Sequence, residues 1–134
     1  MINAVLDTNV LVSGLLTESG NSASIVNAFK DKRFNLFYNS EILAEYRDVL
    51  HRDKLGLPAK DIDDLLEEIR NTGVPIIPDK SDFALTDEDD RIFYDTAKAA
   101  SAYLITGNIR HYPNEQFIIS PVDFIEMINS KIAT

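Results

Sequence analysis

The sequence predicts an α/β fold in which about five mostly parallel strands form one sheet with helices on both faces. Short runs rich in aliphatic and aromatic residues alternate with longer segments whose apolar residues recur at helical spacing, which is typical of βαβ units. The 134 residues contain no internal repeat, low-complexity tract or linker. We therefore predict one domain over residues 1–134.

The first part of the chain contributes two of the predicted strands. Aliphatic content predicts a buried strand at Ile2–Leu6, and the next β-rich run is Leu36–Tyr38. Helices are predicted between them at Val10–Leu16 and Ser22–Lys32. Ser40 is a favourable N-cap residue, and the apolar spacing after it predicts an amphipathic helix to about Arg52.

The rest of the chain alternates in the same way. The predicted elements are a helix at Asp61–Thr72, a strand at Val74–Ile77, a helix running to about Ala100, strands at Tyr103–Ile105 and Phe117–Ile119, and a last helix from Pro121. Pro75 places its strand at an edge of the sheet, because proline cannot donate to a ladder. Thr86–Asp89 matches a capping pattern, and Ser120 is the predicted cap of the last helix.

Composition limits the classes of function. The 22 acidic and 13 basic residues give a net charge of -9, so a polyanionic substrate would need bound cations. The absence of cysteine excludes disulfides, thiolate zinc sites and cysteine nucleophiles. No apolar run approaches the ~18 residues of a membrane span, and the first residues lack the basic region of a signal peptide. We expect a cytoplasmic protein without membrane contact.

Polar residues follow several predicted strands at the point where each strand ends. Asp7 ends the first strand, Ser40 follows the second, and Thr106 and Asn108 follow a later one. Ligands of open parallel sheets bind beyond the carboxyl ends of the strands, which we call the carboxyl edge. Glu45 falls at the border of the inward face of its helix, where it could face Asp7. The alternative for Glu45 is a boundary residue paired with Arg52 or with a neighbouring segment of the chain.

The densest acidic run is Asp87–Asp90. Acids in the first turn of a helix interact with its dipole and cap free N–H groups, and we expect two of the four to do only that. An acid of this run that meets Asp7 and Glu45 would repel them unless a cation lies between, which implies a metal. Oxygen ligands without cysteine or a suitable histidine pair favour Mg²⁺ or Mn²⁺.

Four segments resemble the PIN domain (PilT N-terminus) family in order and spacing. They are Asp7–Ser13, Ser40–Leu50, Asp87–Ala97 and Tyr103–Asn108. The resemblance covers nearly the whole chain. It implies a Rossmann-like parallel sheet whose acidic residues coordinate one or two divalent ions and hydrolyse phosphodiester bonds of RNA.

The resemblance also implies roles for individual residues. It assigns catalytic and metal-binding roles to three acids: Asp7, Glu45 and Asp90. Asp87 would be an auxiliary ligand. Asn9 and Thr106 match polar positions that support the acids.

One position departs from the family pattern. Many members carry a fourth aspartate after Thr-Gly, where this chain has Asn108, followed by Arg110-His111-Tyr112-Pro113. An amide offers a neutral oxygen but no charge. The binding of a second metal, and the catalytic strength that depends on it, therefore stay open.

Basic residues could position an RNA backbone. Arg47 and Arg110 are the candidates, and the alternative for each is a solvated surface charge. His51 and His111 receive no catalytic role, because isolated histidines are more often surface or packing residues.

The resemblance favours a metal-dependent endoribonuclease that acts as the toxin of a type II toxin-antitoxin pair. It implies a homodimer and an antitoxin segment laid across the acidic groove. One alternative is a degenerate PIN domain that binds RNA or a protein without cleavage, which Asn108 supports. A phosphatase with Asp7 as nucleophile would need an Asp-x-Asp pattern, and Asn9 stands at its second position.

Overall fold

The computed structural model describes the backbone of residues 1–133 and the side chains of residues 1–130. Its five strands are all parallel and form one sheet in the order β3-β2-β1-β4-β5. The strands are β1 (Asn3–Leu6), β2 (Asn35–Tyr38), β3 (Val74–Pro75), β4 (Tyr103–Ile105) and β5 (Ile118–Ile119). The predicted α/β class is confirmed.

Six helices cover the sheet. They are α1 (Thr8–Leu16), α2 (Asn21–Lys30), α3 (Ser40–Leu50), α4 (Ala59–Thr72), α5 (Arg91–Ala100) and α6 (Pro121–Ala133). Helices α1, α2 and α6 pack in one group, and α3 packs on α4 and α5. Ala4, Val5 and Leu6 of the central strand are all fully buried, and successive strand residues point to opposite faces. Both faces of the sheet are therefore covered, as is usual for parallel sheets.

The strand order reverses beside β1. The chain passes from β1 outward to β2 and β3, and then returns to the other side of β1 with β4. Open α/β sheets bind ligands at such a reversal, outside the carboxyl ends of the strands. Asp7 directly follows β1, and Thr106 directly follows β4. The topology therefore places these residues together.

Two predicted helix caps are wrong. Asn39, rather than Ser40, caps α3, because its backbone is still extended after β2 and its Oδ1 accepts the Ile42 N–H at 3.0 Å. The Thr86–Asp89 pattern does not open α5. Asp87 instead caps a short 3₁₀ helix, Glu88–Asp90, that precedes it.

Two other predictions are confirmed, although β3 is shorter than the predicted strand Val74–Ile77. Ser120 Oγ accepts the Asp123 N–H at 3.2 Å, which confirms the cap of α6. Strand β3 pairs with β2 and lies at an edge of the sheet, as Pro75 predicts. In the part of the chain that the structure describes, no helix combines the length and apolar character needed to cross a membrane.

Candidate metal and nucleic-acid site

Asp7 is a buried carboxylate at the carboxyl end of the central strand. It is only 7% exposed. Its Oδ2 accepts a hydrogen bond from the Thr106 hydroxyl at 2.8 Å and another from the Tyr112 hydroxyl at 3.0 Å. The Asn108 N–H donates to Thr106 Oγ1 at 3.0 Å, which leaves the Thr106 proton for Asp7. Burial raises the pKa of Asp7, and these hydrogen bonds offset part of the rise.

Asp90 is a second acid at the same edge. It ends the 3₁₀ helix Glu88–Asp90, and its side chain is 16% exposed. Its Oδ2 is buried and has no hydrogen-bond partner among the described residues, and His111 Nδ1 lies 3.7 Å from it. Burial and then the charges of Asp7 and Asp87 raise the pKa of Asp90 to about 6. Asp7 and Asp90 are thus close enough to repel each other.

Glu45 lies on α3 and is half-buried, as its helical position predicts. Burial raises the pKa of Glu45 first, followed by the charges of Asp89 and Asp48. Arg52 forms its ion pair with Asp48 at 3.3 Å, so the alternative partner predicted for Glu45 is engaged elsewhere. Glu45 and Asp89 both line a cavity of about 470 Å³. Glu88 of the acidic run also lines this cavity, and Asp89 is the acid of the run whose charge raises the pKa of Glu45.

Local structure accounts for two acids of the run. Asp87 Oδ1 accepts the Asp89 N–H at 3.0 Å and caps the 3₁₀ helix. Glu88 accepts two hydrogen bonds from Arg91, at 2.8 and 2.7 Å, and they lower the pKa of Glu88. Asp87 is exposed, so capping leaves its second oxygen available. Asp89 and Asp90 have no comparable local role.

Arg91 anchors the segment that carries these acids. It is only 7% exposed. Its Nη1 donates to the carbonyl and the hydroxyl of Ser81 at 3.1 and 2.7 Å, and its Nη2 donates to the Phe83 carbonyl. Together with Glu88, these contacts tie residues 81–83 to the turn that ends at Asp90. No local pattern indicates this role, because a lone arginine in an acidic run is typical of a surface charge.

The remaining predicted residues make different contacts, and Arg47 lines a separate pocket with Arg52 and Asp53. Asn9 Oδ1 accepts the Gly107 N–H at 3.2 Å and so holds the turn after Thr106. Asn108 is exposed, and its side chain makes no hydrogen bond within the described residues. Arg47 is exposed in the last turn of α3, and Arg110 is exposed directly after Asn108.

Sequence reasoning missed two neighbours of the acids. Tyr112 reaches Asp7, and His111 approaches Asp90. His111 ends the short 3₁₀ helix Ile109–His111, and Tyr112 directly follows it. These residues turn the chain back toward the carboxyl edge. An aromatic residue so soon after the Thr-Gly turn was the available signal.

The donor set suits a divalent cation. Asp7 and Asp90 are anionic oxygen donors that repel each other, and one buried oxygen of Asp90 has no partner among the described residues. Hard oxygen donors of this kind match Mg²⁺ or Mn²⁺. Within residues 1–130, however, no three carboxylate or imidazole side chains are gathered tightly enough to hold an ion together.

Comparison with known proteins gives one match. The family model described as PIN domain matches residues 3–110. Comparison with curated proteins and with solved structures finds no match in either set. The matched segment includes Asp7, Glu45, Asp90 and Asn108, whereas Tyr112 follows it.

Proposed function

This chain belongs to the PIN domain family, and from that premise we propose that it is a metal-dependent endoribonuclease that uses Mg²⁺ or Mn²⁺. PIN domains are usually nucleases and generally use divalent metals. The observation that carries the proposal is the buried carboxylate of Asp7 at the end of the central strand, with the partly buried carboxylate of Asp90 near enough for the two charges to repel. Such a pair is costly to bury without a cation.

Three acids would hold the ion: Asp7, Glu45 and Asp90. Asp87 and Asn108 would add oxygen donors at its margin. When bound, the ion supplies a more acidic water and neutralises charge on the phosphate. The protein would hold the acids in position, because a misplaced ligand weakens the binding of the ion and slows the reaction.

The RNA backbone would meet two exposed basic side chains. Arg110 is exposed beside the Thr106–Asn108 turn, and Arg47 is exposed on the helix that carries Glu45. Phosphate contacts of this kind position a strand without reading its bases. The number of these phosphate contacts is small, which agrees with the net charge of -9. Much of the phosphate charge would therefore be neutralised by the ion.

The cavity beside Glu45 supports a protein partner. Five carboxylates line it: Glu41, Glu45, Glu88, Asp89 and Asp95. Ile77, also in its wall, is 92% exposed. The lining also contains Lys80 and Arg91, of which Arg91 is paired with Glu88, so carboxylates remain in excess. This excess is complementary to a basic segment with an apolar side chain. We propose that the chain is the cytoplasmic toxin of a type II toxin-antitoxin system, a homodimer whose antitoxin places such a segment here.

The partner proposal has a direct test. The product of a small open reading frame adjacent to this one would be purified and added to the chain. We expect a complex of defined stoichiometry by light scattering, and inhibition of cleavage. The free chain should have the mass of a dimer in the same experiment. A free monomer, or a product that leaves cleavage unaffected, would remove this part of the proposal.

The cleavage experiment compares the protein with two variants. Structured and single-stranded RNAs are incubated with Mg²⁺, Mn²⁺ or EDTA, using wild type, Asp7→Asn and Glu45→Gln. Glu67→Gln is the control, because Glu67 is exposed on α4. We expect internal cleavage by wild type and the control with either metal, and none in EDTA or by the two site variants. Activity that persists in Asp7→Asn would identify a contaminating nuclease or a different site.

A second candidate function is binding without cleavage. Asn108 in place of a fourth acid favours it, as does the loose arrangement of the carboxylates in the described residues. In that case wild type and Asp7→Asn would bind RNA or the partner equally well, and neither would cut. Metal-dependent cleavage by wild type alone would exclude this candidate.

A further inference from the structure

We propose that Tyr112 is a positioning residue that determines which oxygen of Asp7 faces the bound ion. The proposal rests on the metal-dependent function proposed above. It concerns a residue that follows the segment matched by the family model, residues 3–110.

The hydrogen bonds at Asp7 distinguish its two oxygens. Oδ2 accepts from the hydroxyls of both Thr106 and Tyr112, at 2.8 and 3.0 Å. A carboxylate oxygen has two lone-pair sites, so these two donors fill Oδ2. No described side chain donates to Oδ1, and the backbone N–H groups of Thr8 and Asn9 also contribute hydrogen bonds to this carboxylate. Oδ1 is therefore the oxygen that side-chain donors leave for a cation, and Asp7 would bind through one oxygen.

The fold holds the Tyr112 hydroxyl firmly. The backbone of Tyr112 donates to the Ile109 carbonyl at 3.1 Å, which closes the short 3₁₀ helix. The residue is 7% exposed and belongs to the hydrophobic core. A ring packed in this way has little rotational freedom. Its hydroxyl can therefore act as a fixed donor to the carboxylate.

Tyr112 also accounts for how Asp7 is oriented in a chain that has Asn108 in place of a fourth acid. The side chain of Asn108 is exposed and makes no hydrogen bond with Asp7 in the described structure. Within residues 106–112, the Tyr112 hydroxyl is the group besides Thr106 that hydrogen-bonds to Asp7. It is neutral and donates a proton, so it orients Asp7 without adding negative charge to the site.

The test measures Mn²⁺ affinity of the metal-free chain, from the electron paramagnetic resonance signal of free Mn²⁺. Tyr112→Phe removes only the hydroxyl and keeps the ring. We expect it to weaken Mn²⁺ binding about 10-fold to 100-fold, the usual effect of losing a partner of a metal ligand. The control Tyr103→Phe makes the same change at the opposite end of β4 and should leave the affinity unchanged.

A second control separates positioning from stability. Gly14→Ala strains the packing of α1 on α2 at Val26 and Ser22, about two helical turns after Asp7, so it should lower the melting temperature without changing Mn²⁺ affinity. If Tyr112→Phe does not fold, Thr106→Val removes the other donor to Oδ2 and should give a comparable loss. If the folded Tyr112→Phe binds Mn²⁺ as tightly as wild type, this inference alone is overturned. The same holds for Thr106→Val where it replaces Tyr112→Phe. Failure of wild type to bind Mn²⁺ would overturn the proposed function as well.

Discussion

Replacing Asp90 by asparagine should make the metal-free protein more stable while it destroys the metal site. The Asp90 carboxylate is 16% exposed, and its buried Oδ2 has no hydrogen-bond partner among the described residues. Burial is the largest cause of its raised pKa, and the charges of Asp7 and Asp87 follow. The asparagine amide would keep the shape of the side chain and remove the charge.

The magnitude follows from the pKa. A rise from 3.8 to about 6 means that ionised Asp90 costs the folded state about 3 kcal/mol at most relative to the unfolded chain, and solvent screening reduces this cost. The amide also needs hydrogen bonds, and an unsatisfied buried one costs about 1 kcal/mol or more. We therefore expect a net gain of about 1–2 kcal/mol near neutral pH, or about 3–8 °C in melting temperature.

The gain should depend on pH in a defined direction. A carboxyl whose folded pKa is raised binds its proton more tightly in the folded state. The stability that this proton contributes is fully present below the unfolded pKa of 3.8. That contribution is lost as the pH rises through about 6. The advantage of Asp90→Asn should therefore be largest above this pH and should disappear near pH 4.

The assay is urea unfolding followed by circular dichroism in excess EDTA, at acidic and at neutral pH. Asp79→Asn is the control, since it makes the same change at an exposed loop position. Adding Mn²⁺ should stabilise wild type more than Asp90→Asn, because the ion binds only the native site. If Asp90→Asn has no advantage at neutral pH, or has an equal advantage at both, the inferred cost of an ionised Asp90 in the metal-free fold is wrong.

Four further predictions concern other parts of the molecule. Arg91→Met should lower the free energy of unfolding by about 2–4 kcal/mol in urea, because it breaks a buried hydrogen-bond network; a loss below about 1 kcal/mol would contradict the anchoring role. Gly14→Ala should cost about 1–3 kcal/mol, since the added Cβ would lie 2.8 Å from the Ser22 carbonyl oxygen; an unchanged melting temperature would show that α2 moves freely. Arg110→Ala should weaken RNA binding and reduce the slope of log affinity against log salt by about 0.7, and an unchanged slope would place the RNA elsewhere. Asn108→Asp should tighten Mn²⁺ binding and increase cleavage, with some loss of metal-free stability, and unchanged affinity by calorimetry would remove Asn108 from the ligand set.

Local patterns in the sequence were enough for the framework of the site. The apolar run before Asp7 predicts a buried strand that ends at a carboxylate, and β1 ends there in the structure. Helical periodicity places Glu45 at the border of the inward face of α3, where it is half-buried. Pro75 predicts an edge strand because proline lacks an N–H. Each of these predictions depends on the repeat of one element or the chemistry of one residue.

Cap positions were harder to predict, because neighbouring residues compete for the same role. Asn39 and Ser40 are both good N-cap residues, and the extended backbone at Asn39 decides between them. The same competition divides the acidic run. Asp87 is used as a cap, Asp89 lines the cavity with Glu45, and Asp90 interacts with Asp7.

The residues alone thus determined the α/β class, the strand that ends at Asp7 and the inward face that includes Glu45, because periodicity and strand-end chemistry act over a few neighbouring residues. Only the tertiary structure decided that Tyr112 holds Asp7, 105 residues away, and that Arg91 turns inward to anchor the acidic segment. Those contacts depend on the path of the chain after β4 and before α5. Such paths are set by packing between distant elements, for which the sequence carries no periodic signal.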